Sequence, residues 1–147
     1  MKKTLQELKA NDVWAITHQQ DQYVLKPTRL KADHWLCLHY HALNLTAEVI
    51  VEMDGVQHFE PVAFFGGEER LEKQRVQDQR KEEWCREHNV HLLRIDDSVK
   101  PEDYAFTVRD FVERVAQQRP AATLIWRVGQ RYHPTVADLV DESVVLE

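Results

Sequence analysis

Along Glu48-Val-Ile-Val-Glu-Met-Asp-Gly-Val-Gln-His58 the side chains alternate with the period of two that marks a strand. Val49, Val51 and Met53 point one way, and Glu48, Ile50, Glu52 and Asp54 point the other. The pattern predicts a strand over Ala47 to Asp54, ended by Gly55, with His58 just past the turn. Upstream, Leu5 and Leu8 share one side of a short helix over residues 3–10. Strand-like runs follow at Val13–Thr17, Gln22–Lys26 and Trp35–His41, separated by polar or Pro-containing connections. Asn44 and Thr46 fall between the third run and the fourth, which predicts a hairpin there.

Downstream the period changes. Glu68 to His88 is charged throughout, with Leu71, Val76, Trp84 and Cys85 as sparse apolar positions, and reads as a helix capped by Asn89. Val90-His-Leu-Leu-Arg-Ile95 reads as a short buried strand. Pro101 opens a second long helix to about Gln118, whose Tyr104, Val108, Phe111, Val112 and Val115 recur on one face. A strand over Thr123–Val128 and a weak helix near Val136–Asp141 complete the chain. Several antiparallel strands followed by helix, strand and helix predict a single α+β (mixed α/β) domain with helices flanking a sheet.

The composition changes this picture little. The 147 residues suffice for one core, and 43% hydrophobic with 30% charged residues describes a soluble globular chain. No apolar run approaches the roughly 20 residues that cross a bilayer. The basic start leads into an amphipathic stretch rather than an apolar signal core, so no secretory signal is expected. Cys37 and Cys85 have no metal-knuckle spacing, and such usage fits free thiols in a reducing, cytoplasmic compartment. A net charge of −6 argues against non-specific coating of nucleic acid, yet leaves room for a basic face beside an acidic metal site.

Candidate chemistry concentrates in three places. Glu52 and Asp54 stand one pleat repeat apart, roughly 7 Å along a strand, close enough to share a divalent ion. Mg²⁺ suits such oxygen ligands, and His58 could move a proton, contact a phosphate or complete the shell. The same acids would also suit a solvated strand face. On the charged helix, Asp78 and Lys81 share a face, as do Asp78 and Glu82. With Leu71, Asp78 and Cys85 inward, Asp78 and Lys81 would approach Glu52 and Asp54, where a lysine could stabilise a phosphate's developing charge. A solvated helix laced with weak ion pairs is the plainer alternative. Third, His39 and His41 form a His-x-His pair beside Cys37, a pattern that can hold Zn²⁺ but also serves sheet hydrogen bonding. The four tryptophans read as core or rim aromatics.

Glu52-Met-Asp-Gly-Val-Gln-His-Phe-Glu-Pro-Val, Phe64-Phe-Gly-Gly-Glu-Glu, Asp78-Gln-Arg-Lys-Glu-Glu-Trp-Cys and Asn89-Val-His-Leu-Leu-Arg-Ile together resemble the nuclease core of the very-short-patch-repair-like endonucleases, within the PD-(D/E)XK superfamily. The similarity spans about residues 36–96. It implies a restriction-endonuclease-like central sheet flanked by helices, a Mg²⁺ or Mn²⁺ ion, and hydrolysis of DNA phosphodiester bonds. Glu52, Asp54 and His58 match the family's active-site strand and turn, and Asp78 and Lys81 match the helix that follows. Members usually carry a metal-binding aspartate on the preceding strand, and counting back from Asp54 that place falls on His41. An imidazole there suits Mn²⁺ or Zn²⁺ better than Mg²⁺. Glu48 or another acid could substitute, or the site could be a degenerate one that binds nucleic acid or a protein partner without cutting. Glu52, Asp54 and His41 are thus the expected metal ligands, and a homodimer is compatible with this reading. A zinc-binding structural role for His39, His41 and His58 is a further alternative.

Overall fold

The computed structural model describes residues 1–11, 14–63, 66–117 and 122–133. Helix α1 (Lys2–Asn11) leads into strand β1 (Trp14–Gln20), then β2 (His34–Tyr40), β3 (Leu45–Asp54), helix α2 (Gly67–His88), β4 (His91–Asp96), α3 (Tyr104–Gln117) and β5 (Ile125–Val128). The five strands form one sheet in the order β1-β2-β3-β4-β5. The first three run antiparallel, while β4 and β5 lie parallel to β3, each reached through a helix. This is the mixed α+β architecture expected of the pattern.

Alternation along the strands divides the core. Val49 and Val51 of β3, with Leu93 and Ile95 of β4, face Leu5 and Leu8 of α1 and Val108, Phe111, Val112 and Val115 of α3. On the opposite face Ile50, Leu92 and Ile125 pack with Trp84 and Cys85 of α2 and with Leu25 and Ala32 of the β1–β2 connection. Glu52 and Asp54 therefore share the α2 side of the sheet with Ile50.

Three segments differ from the sequence pattern. Gln22–Lys26 is not a strand. The backbone N–H of Leu25 donates to Leu30 O at 2.9 Å, closing a loop around Pro27, and only a single Val24–Lys31 bridge remains of sheet pairing. The third run ends at Tyr40, and His41–Leu43 form a 3-10 turn closed by Asn44 in the left-handed region, φ 48°. Pro101–Asp103 also form a 3-10 turn rather than the first turn of α3. Val13, Gln118 and the weak helix at 136–141 lie outside the described residues. Among those described, no helix is long and apolar enough to cross a membrane.

A candidate metal centre at the end of strand β3

Strand β3 carries both acids into the interior: Glu52 and Asp54 are each 2% exposed. Beyond Gly55 one 3-10 turn, Val56–His58, folds the chain back so that His58 Nδ1 lies 3.4 Å from Asp54 Oδ1. Helix α2 crosses above. Its inner face reads Leu71, Gln74, Asp78, Lys81, Glu82 and Cys85, with polar groups filling the middle. That face lies over the acidic strand, which is why the helix needs so few apolar residues.

His58 Nδ1 meets Asp78 Oδ2 at 2.8 Å, and Gln74 Nε2 donates to Asp78 Oδ1 at 3.0 Å. Asp54, His58 and Asp78 each offer a ligand atom within 4.8 Å of the others, the only such trio of His, Cys, Asp or Glu among the described residues. Burial alone would depress the His58 imidazole, but the carboxylates of Asp78 and Asp54 outweigh it and raise its pKa. Burial likewise opposes ionisation of Asp78, yet the His58 contact and the Arg94 charge hold its carboxyl below the ordinary value.

Lys81 makes an ion pair with Glu52 Oε1, and Glu52 Oε2 accepts the Asp33 backbone N–H at 2.7 Å. Burial pushes the Glu52 carboxyl up to about 7, held back by the Lys81 ammonium and pushed further by Asp33. Arg94, 1% exposed, lies beneath the cluster. Its Nη1 donates to both Asp54 oxygens at 3.2 Å, its Nη2 to the Asp78 backbone O at 3.0 Å, and its Nε is 3.4 Å from Glu82. Glu82 also pairs with Arg127. Five carboxylates (Asp33, Glu52, Asp54, Asp78, Glu82) thus meet three permanent cations (Lys81, Arg94, Arg127). With the Glu52 carboxyl at about 7 and a proton held by His58 at low pH, the excess of negative charge is two at most.

The expected Glu52, Asp54, His58, Asp78 and Lys81 lie in one cluster, but Glu52 is corrected as a metal ligand: its oxygens are engaged by Lys81 and the Asp33 N–H, and Asp78 takes its place in the trio with Asp54 and His58. His41 does not lie in the cluster. In the β2–β3 ladder Tyr40 pairs with Leu45 and His34 with Val51, so His41 sits beside the far end of β3. Nine residues of strand put it roughly 30 Å from Asp54. The residue that the hairpin does bring opposite Glu52 is Asp33, whose Oδ2 also accepts the Met53 N–H at 2.9 Å. Counting along the chain missed Asp33; folding the ladder about the Asn44 turn would have found it. His41 is therefore corrected as a metal ligand of this site. His39 and His41 do meet, ring to ring at 5.1 Å, but His58 lies at the other end of the sheet, so the three cannot share one zinc ion. Asp33, Arg94 and Tyr132, whose hydroxyl donates to Asp54 Oδ2, belong to the cluster without having been singled out, while Glu82 was picked out only as a helix-face neighbour of Asp78. A charged residue inside the apolar run of β4 was the available signal for Arg94.

The chain matches no family model, no curated protein and no solved structure.

Proposed function

We propose that this protein is a divalent-metal-dependent nuclease that hydrolyses DNA phosphodiester bonds on a restriction-endonuclease-like core. The convergence of Asp54, His58 and Asp78 on one point, beside a lysine, carries this reading. Two carboxylates and an imidazole make a mixed oxygen–nitrogen donor set, suited to Mn²⁺ and acceptable to Mg²⁺ that keeps several waters. Zn²⁺ is the lesser candidate. Asp54, Asp78 and His58 would hold the cation, which would supply an acidified water and offset phosphate charge. Glu52 fixes the Lys81 ammonium at the rim of the site, where it can meet the charge that builds on phosphorus-bound oxygens. Arg94 keeps Asp54 and Asp78 close by neutralising part of their repulsion before any cation arrives.

A second reading has one observation in its favour. Arg94 and Tyr132 already engage the oxygens of Asp54, and Lys81 engages Glu52, so the cluster is largely satisfied without a metal. Such a module would bind nucleic acid or a protein partner without cutting.

Supercoiled plasmid incubated with Mg²⁺, Mn²⁺ or Zn²⁺ separates the two. The nuclease reading expects nicked or linear DNA with Mn²⁺ and Mg²⁺, fastest with Mn²⁺. Asp54→Ala should then lose activity by about 100-fold or more, in line with losing a principal electrostatic element of catalysis. Retained DNA binding without conversion by any metal would establish the non-cutting module instead.

A further inference from the structure

Beyond β5 the chain enters the candidate centre a second time, through a turn held by a buried acid on the neighbouring strand. Asp96, at the end of β4, is 0% exposed. Burying a carboxylate without partners is costly. Here its Oδ1 accepts the Ser98 N–H at 2.8 Å and the Ser98 hydroxyl, while its Oδ2 accepts the backbone N–H groups of Arg131 at 2.8 Å and Tyr132 at 3.3 Å. Ser98 Oγ in turn accepts the Gln130 N–H at 2.7 Å, and the His133 N–H closes the turn on Gly129 O at 3.1 Å. Gly129 has φ 125°, and a Cβ there would fall 2.1 Å from the Asp96 carboxyl. Only glycine permits this approach.

The turn delivers Tyr132. Its hydroxyl donates to Asp54 Oδ2, and its ring meets Phe59, the neighbour of His58, edge-on at 4.8 Å. Arg94 contacts both Asp54 oxygens, so the Tyr132 hydroxyl is what distinguishes them: Oδ2 is capped and Oδ1 faces His58 at 3.4 Å. Burial, with Asp54 beside it, pushes the phenol's pKa upward, so it remains an O–H donor at ordinary pH.

We propose that Tyr132 is a positioning residue of the metal centre, clamping the Asp54 carboxylate so that Oδ1 alone is presented to the cation, with the Asp96–Ser98–Gly129 turn as the mount that holds the clamp. This inference rests on the metal reading of the preceding subsection. Hydrogen-bond partners outside the ligand set orient the ligands of metal sites, and their loss commonly costs ten- to a hundredfold in affinity. Mounting such a partner on a turn without secondary structure requires separate anchoring, which Asp96 provides.

Calorimetric titration of Mn²⁺ into the full chain tests the proposal without any substrate. Tyr132→Phe keeps the ring against Phe59 and deletes only the hydroxyl; it should bind Mn²⁺ about 10-fold more weakly than wild type. Gly129→Ala should weaken binding in the same direction by displacing the mount. The double variant should bind no more weakly than the weaker single one, because both changes act through one hydroxyl. Equal or tighter binding by Tyr132→Phe would overturn the clamp while leaving the metal site in place, since a hydroxyl that merely packs has no effect and one that competes with the ion lowers affinity. Absence of Mn²⁺ uptake by wild type would overturn the metal reading and the clamp together. Should Gly129→Ala fail to fold, Tyr132→Phe alone decides.

Discussion

Between Asp54 and Asp78, the His58 imidazole has its pKa raised: burial opposes the charge, but the two carboxylates prevail. A folded pKa above the unfolded value of about 6.5 means that the native state binds the proton more tightly between the two values. The His58 contribution to stability is thus fully present below about pH 6.5 and is lost as pH rises through the raised folded pKa. In metal-free buffer, urea unfolding of the wild type should show stability falling with pH across that window. His58→Gln should flatten the fall; an unchanged slope would show that His58 is not held as an ion pair. The pairing was partly visible beforehand. Alternation alone put Glu52 and Asp54 on one side of β3, and Gly55 implied the turn that carries His58 back. Asp33 needed the hairpin register rather than the linear count, and Tyr132 was not legible, because it reaches the cluster through a distant turn that no local pattern encodes.

Strand β4 is buried over its whole length and yet carries Arg94 in its middle, tying β3 to α2 through Asp54, Asp78 and Glu82. Removing one member of a buried ion network leaves the others uncompensated, at a cost of about 3–5 kcal/mol. Arg94→Met should therefore lower the metal-free unfolding free energy by about that amount at neutral pH, measured by chemical denaturation. A change under about 1 kcal/mol would mean that the carboxylates reach water or protonate instead. The same scale explains which elements the sequence revealed. The apolar face of α3 marks a helix lying on a hydrophobic core. Helix α2 lacks such a face because Gln74, Asp78, Lys81 and Glu82 occupy much of its inner surface, so its sparse apolar pattern reflects polar groups packed against β3 and β4. Gln22–Lys26 has strand-like residues but bonds internally before Pro27, and sequence preference yielded to the closure of that loop.

Across the molecule, the parallel strands β3 and β4 both end where the acids gather, and the hairpin of β2 and β3 carries His39 and His41 to the opposite edge. The architecture separates the two histidine-containing groups that the linear chain leaves open to combination. It also gathers more carboxyl groups than permanent cations at one end of a chain whose overall net charge is −6. Charge of that sign is poorly suited to holding DNA directly, and a divalent cation would resolve it locally. The most direct measurement is crystallographic: crystals soaked in MnCl₂, with anomalous differences collected at the manganese edge. A single strong peak bounded by Asp54, His58 and Asp78 is expected, with Arg94 and Tyr132 still in place behind Asp54. Data that order these side chains with no anomalous peak among them, or with manganese bound only elsewhere, would contradict it.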